Sequence, residues 1–337
     1  MQAQVLYKCQ PVTEKPLVLT DLDKPLATAD DVLIKVHACG ICRTDLHVVE
    51  GELDPAGYAF PLIPGHQVVG TIEAAPAGSK LQAGQRVGVP WLNKTCGCCR
   101  FCESDRENLC QNPGFTGWTR NGGFAEYVTA PADFVYEIPA ALTDIKAAPL
   151  LCAGIIGYRC LRQCEMRSWA GAKLGLYGFG AAGHIAIQIA RHRGADVYVC
   201  TRDHKRHQKL AEELGAVWVG GADETPPVKL DAAIIFAPAG EIVPAALKAL
   251  DRDGRLVLGG IHMSPLPEID YRDLYWERVI RTVANNTRAD GREFIAEAVK
   301  AKIQTHTRVF ALSEANEALI ALKMDAIKGA GVLVMDA

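Results

Sequence analysis

The chain has 337 residues, more than a single hydrophobic core usually supports, so two domains are expected. Apolar residues make up 49%, charged residues 22%, and the formal net charge is -3. No field is available for gripping nucleic acid or an anionic membrane, which leaves small molecules as the expected partners. The N-terminus lacks a basic patch followed by an apolar run, and the longest apolar stretch, near 147–158, falls short of the ~18 residues a membrane helix needs. A cytoplasmic location is therefore expected, and with it reduced thiols or metal ligands for the twelve cysteines.

From Val5 to about Pro139 short β-rich runs at 32–38, 68–74, 86–90 and 124–129 are separated by Gly, Pro and Asp clusters, predicting an irregular, mostly antiparallel β domain. After Cys152 the pattern changes. Strand-like runs at 173–177, 196–201, 231–237 and 255–258 alternate with amphipathic helical stretches at 183–192 and 206–214, which predicts a doubly wound parallel sheet. Beyond Asn285, helices are expected at 291–301 and 314–324 around a last strand at 331–335, returning to the first domain. The expected division is 1–152 with 286–337 for one domain and 153–285 for the other, in an α/β class overall.

Cys96, Cys99, Cys102 and Cys110 are separated by two, two and seven residues. Four thiolates at that spacing can close round one ion with no open position, the pattern of a structural zinc site, whereas common iron–sulfur spacings differ. Cys98 falls inside the loop and reads as a bystander.

A second, dispersed set is Cys39-Gly-Ile-Cys42-Arg-Thr44-Asp45-Leu-His47, then Pro64-Gly65-His66-Gln67, then Leu150-Leu151-Cys152. In ligand order, in the four-cysteine lobe and in the nucleotide-binding pattern that follows, the sequence resembles the zinc-containing medium-chain alcohol dehydrogenases over essentially its whole length. The resemblance implies a GroES-like catalytic domain beside a Rossmann-type dinucleotide domain. It also implies a catalytic zinc on Cys42, His66 and Cys152, with a fourth position left for water or substrate oxygen. The chemistry is coherent, because hydride leaves an alcohol carbon easily only once the hydroxyl proton is gone, and zinc eases that loss. By the same resemblance Asp45 would orient the His66 ring. Thr44 and His47 would relay the substrate proton by way of the cofactor ribose to the surface, and histidine suits the outer end because it titrates near neutral pH. One departure is Gln67, where many relatives carry a glutamate close to the metal.

Lys173–Tyr177, then Gly178-Phe-Gly180-Ala-Ala-Gly183 and an apolar helix, form a strand, a Gly-rich turn and a helix in the order a dinucleotide requires. The helix N-terminus favours pyrophosphate charge, and Arg43 resembles a family position that reaches the same group. At the end of the second strand stand Thr201 and Arg202, followed by Lys205 and Arg206, rather than the acid of an NAD enzyme. These groups suit a 2′-phosphate, so NADP is expected over NAD, with Asp203 able to hold the ribose if the strand runs one residue longer.

Trp91 resembles a pocket-lining aromatic of small-alcohol dehydrogenases, with plain core as its other reading. Leu53, where some relatives carry a second bulky aromatic, implies a pocket wider than ethanol needs. The expected reaction is hydride transfer between NAD(P) and a primary alcohol or aldehyde of medium size, aliphatic or aromatic, with two zinc ions per chain. The resemblance further implies a homodimer or homotetramer. An enoyl or quinone reductase of the same superfamily, or a nucleotide-binding sensor without chemistry, remain the alternatives.

Overall fold

The computed structural model describes residues 1–335, and the chain divides into two compact units. The first takes Met1–Cys152, Asn285–Ile295 and the residues from Thr305 onward; the second takes Ala153–Ala284 and Ala296–Gln304.

At the centre of the first unit is a long strand, β1 (Asp31–Ile41). Its alternation of Val, Ile and Ala buries one face, while bulges at Leu33/Ile34 and Val36/Ala38 bend it. The bend lets β1 serve two partners along one side: Asp31–Lys35 pair with Tyr127–Pro131, and Ala38–Ile41 pair with Gly331–Val334. On its other side lies β2 (Gln67–Ala74), followed by β3 (Arg86–Val89). Ile34, Ile72, Val87, Phe124, Val128 and Leu333 anchor one apolar core. Immediately after β1 the chain winds into α1 (Arg43–Glu50), so the residues flanking this junction are fixed by both elements.

In the second unit α2 (Ala153–Gln163) precedes β4 (Lys173–Tyr177), α3 (Ala181–His192), β5 (Asp196–Cys200), β6 (Trp218–Gly220), β7 (Leu230–Ile235), β8 (Leu250–Leu258) and β9 (Val279–Thr282). All pair in parallel in the order β6-β5-β4-β7-β8-β9, the doubly wound arrangement in which the chain reverses direction beside β4. Leu174, Leu176 and Ile234 are fully buried, as strands covered on both faces require.

Two expectations need adjustment. Residues 296–304, expected to return with the C-terminal segment, pack in the second unit. Glu297 accepts two hydrogen bonds from Arg193 at 2.7 Å, and Gln188 and Gln304 bond reciprocally. The helix expected over 206–214 forms over 204–213, starting two residues earlier with a wider, π-helical turn at His204–Gln208 before Lys209–Glu213, and the Asp203 carboxylate caps its start by accepting the Arg206 N–H.

Candidate active site

The β1–α1 junction places Cys42 at the helix N-cap. Its sulfur accepts the Thr44 N–H at 3.3 Å, and its own N–H donates to Asp45 Oδ2 at 2.8 Å, a capping box in which a cysteine replaces the usual hydroxyl residue. The other Asp45 oxygen accepts from His66 Nδ1 at 2.9 Å. His66 follows Gly65, whose φ of 96° and contact with Phe124 leave no room for a Cβ. The loop before it is pinned by backbone bonds from Gly122 to Ile63 and from Phe124 to Pro64. Cys152 closes the turn Ala148–Leu151.

These three elements converge. The sulfurs of Cys42 and Cys152 and a His66 ring nitrogen all lie within 4.8 Å of one another, and Cys42 Sγ is 3.1 Å from His66 Nε2. The Cys42 thiol is held well below the usual thiol range, first by its hydrogen bond with Cys152 and further by His66, while that same bond pushes Cys152 up. Two sulfurs beside an imidazole already oriented by a carboxylate form a donor set that suits zinc. Beside it, Gln67 is buried against Gly40 and its side-chain oxygen has no hydrogen-bond partner among the described residues.

Cys96, Cys99, Cys102 and Cys110 form a second cluster with every sulfur within 4.8 Å of the others. Backbone N–H groups of Cys96 and Asn112 point at Cys110 Sγ, and those of Gln111 and Cys102 hold the Cys99 thiol down to about 6. Cys98 is exposed. The lobe is tied to its own unit by Glu107, which accepts the Arg288 N–H at 2.9 Å.

Around the first cluster, Thr44 is buried and Arg43 is exposed. His47, on α1, hydrogen-bonds through Nδ1 to Glu52, a partner that residue spacing on a helix does not reveal. Trp91 is 7% exposed and meets the His66 ring edge-on at 5.0 Å, so it is both core and neighbour of the candidate metal site. Phe115 and Trp118 stack with it at 4.9 and 5.9 Å, and Leu53 and Tyr58 pack on the same cluster. Phe115, Trp118 and Tyr58 went unrecognised in the sequence, where their only signal is aromatic residues close to Gly57 and Gly117.

In the second unit each glycine of the turn has a distinct role. Gly178 has φ 89° and a Cβ there would meet the Ala237 nitrogen at 2.9 Å; Gly183 would meet the Gly178 oxygen at 2.8 Å. Gly180, the N-cap of α3, faces nothing within 4 Å, leaving its surface open to an approaching phosphate. Thr201 and Arg202 directly follow β5, Thr201 buried and Arg202 exposed. The Asp203 carboxylate is taken up by Arg206, whose N–H and Nε approach at 3.0 and 2.6 Å. A hollow of about 390 Å³ lined by Gln188, Arg191, His192 and Glu213 lies at the far end of α3 from this turn, and no metal-ligand set surrounds it among the described residues.

Family models match both halves of this picture: an alcohol dehydrogenase GroES-like domain over residues 28–140 and a zinc-binding dehydrogenase domain over 181–300. A probable alcohol dehydrogenase of Mycobacterium tuberculosis is 44% identical over 99% of this chain and 97% of its own. The chain belongs to the zinc-dependent medium-chain alcohol dehydrogenase family. An alcohol dehydrogenase of Geobacillus stearothermophilus is 34% identical over 95% of this chain and 96% of its own. A cinnamyl alcohol dehydrogenase structure from Sorghum bicolor superposes with a TM-score of 0.89 at 26% identity, covering 99% of this chain and 97% of the other. The protein is thus an alcohol dehydrogenase, an oxidoreductase of small-molecule alcohols or aldehydes, with an α/β two-domain fold. Among the described residues no helix is long and apolar enough to cross a membrane.

Proposed function

We propose that this dehydrogenase transfers hydride between a primary alcohol or aldehyde of medium size and NADP, used in preference to NAD, with one catalytic and one structural zinc per chain. The convergence of Cys42, His66 and Cys152 within 4.8 Å carries the reading. Those three residues would hold the catalytic ion, whose chemistry when bound is to ease loss of the hydroxyl proton and, in reverse, to polarise a carbonyl. Cys96, Cys99, Cys102 and Cys110 would hold the structural ion.

The remaining work falls to the chain. Two thiolates offset a +2 charge, so product is not held too tightly to leave, and Asp45 fixes the His66 ring with Nε2 facing the sulfurs. Thr44 Oγ takes the proton from the substrate hydroxyl as its own O–H proton passes on toward His47, which delivers a proton to solvent. Trp91, covering one side of His66, keeps water from that face, and Leu53 leaves width for a substrate larger than ethanol. The open surface at Gly180 receives pyrophosphate, and Gly178 and Gly183 allow the close turn. Thr201 and Arg202 bind the 2′-phosphate, a reading supported by the engagement of Asp203 with Arg206.

A homodimer or homotetramer is supported by the edge strand β9 and by exposed Tyr271, Tyr275 and Trp276 just before it. The use of six of the twelve cysteines as proposed metal ligands supports a reducing compartment, the cytoplasm.

The test is zinc content per chain with steady-state rates on a panel of aldehydes using NADPH and NADH. Two zinc ions and faster turnover with NADPH are expected. Preference for NADH would overturn the cofactor assignment, and one zinc ion without turnover would overturn the catalytic site.

A further inference from the structure

The first turn of α3 carries a layer of side-chain bonds on top of its backbone ladder. His184, the residue after the last glycine of the turn, is fully buried, although a core position asks only for apolar volume. Burying a ring N–H there without using it would cost free energy. It is used: Nδ1 lies 3.2 Å from the Gly180 carbonyl oxygen, which also accepts the His184 backbone N–H at 3.1 Å. A carbonyl only accepts, so Nδ1 carries the proton in this bond. One turn on, Gln188 repeats the device. Its Nε2 lies 2.8 Å from the His184 carbonyl and 3.0 Å from that of Gln304, whose N–H returns to Gln188 Oε1 at 2.9 Å. Side chains at 184 and 188 thus fasten successive turns of one helix face.

The consequence falls on the far side of the peptide that joins Gly180 to Ala181. In a trans peptide the C=O and N–H point in opposite directions, so a carbonyl gripped from the helix side aims the Ala181 N–H outward, past the helix N-terminus. A glycine at 180 leaves this peptide freer to rotate than any other residue would, which gives an external grip something to do. A second donor on the carbonyl also polarises the peptide, making its N–H the stronger donor to an anion. The surface it faces is open, since a Cβ on Gly180 would meet nothing within 4 Å.

We infer that His184 is a positioning residue for the dinucleotide, its Nδ1–H holding the Gly180–Ala181 peptide in the orientation that presents the Ala181 N–H to pyrophosphate. The inference rests on the proposed pyrophosphate site at Gly180. His184 acts through the peptide and keeps its proton throughout.

The test compares the parent with His184→Met, His184→Leu and His184→Gln, all zinc-loaded, for binding of two fragments. ADP-ribose, which carries the pyrophosphate, is titrated by calorimetry, and adenosine, which lacks it, by ligand-observed NMR. Met and Leu fill the space with no donor, whereas Gln can reach the carbonyl four residues back, as Gln188 does. Met and Leu should each raise Kd for ADP-ribose about tenfold, the scale of one misaimed hydrogen bond to a charged group, and leave Kd for adenosine unchanged. In steady state KM for the dinucleotide should rise with kcat no lower, and Gln should recover most of the affinity. Equal weakening of both fragments would mean that residue 184 only supports the fold. Unchanged ADP-ribose binding in Met and Leu would mean that the peptide is aimed without it. Either result overturns the role of His184 while the pyrophosphate site stands. If the parent itself binds ADP-ribose no more tightly than adenosine, the pyrophosphate reading fails first, and the role of His184 with it.

Discussion

Asp45 Oδ1 lies 2.9 Å from His66 Nδ1, with both side chains 1% exposed. Because the other Asp45 oxygen takes the Cys42 N–H, one carboxylate sets both the helix cap that aims a sulfur and the ring that aims a nitrogen. Its removal therefore disturbs two donors at once. Asp45→Ala should weaken zinc retention at the Cys42, His66, Cys152 site by about 10- to 100-fold. Competition against a chromogenic chelator measures this, and unchanged retention would show that the ring is oriented by something else.

Arg202 should govern the choice of cofactor, since Arg206 is already engaged by Asp203. Arg202→Glu should raise KM for NADPH and shift the ratio of kcat/KM toward NADH by about tenfold, the equivalent of one charge-assisted contact. Initial-rate measurements with both cofactors test it. An unaltered ratio would place the discrimination elsewhere.

Glu107 couples the four-cysteine lobe to the start of the helix Arg288–Lys300, accepting the Arg288 N–H at 2.9 Å and facing its guanidinium at 3.4 Å. Glu107→Ala should destabilise the protein by about 2 kcal/mol, since a bond from a backbone N–H to a carboxylate is lost in a mostly buried setting. A lower thermal midpoint and faster amide exchange at Arg288, with both zinc ions retained, are the expected results.

The local signals in the sequence reach far for this protein. Strand β4 was expected over the residues it occupies, and Cys96, Cys99, Cys102 and Cys110 meet as their spacing implied, because close ligands need only a turn between them. The Cys42, His66 and Cys152 set is different in kind. Its members come from separate elements, and it was legible only through family resemblance, since no local rule brings residue 152 to residue 42. What stayed hidden depends on backbone reversals and packing. The return of Glu52 to His47 follows from the left-handed Gly51, and the earlier, π-helical start at 204–208 is capped by Asp203. Placement of residues 296–304 rests on the Glu297 pair with Arg193, whose guanidinium also lies over the rings of Tyr158 and Trp169. Trp91 likewise carried two readings that only its neighbours resolve, being edge-on to His66 and stacked under Trp118.

The most direct test of the catalytic zinc assignment is metal content in Cys152→Ser beside the parent protein. Two zinc ions per chain are expected in the parent and one in the variant, which should keep its fold through the Cys96, Cys99, Cys102 and Cys110 lobe but lose alcohol oxidation. A variant that retains two zinc ions and full activity would contradict the assignment of Cys152, and with it the three-residue site.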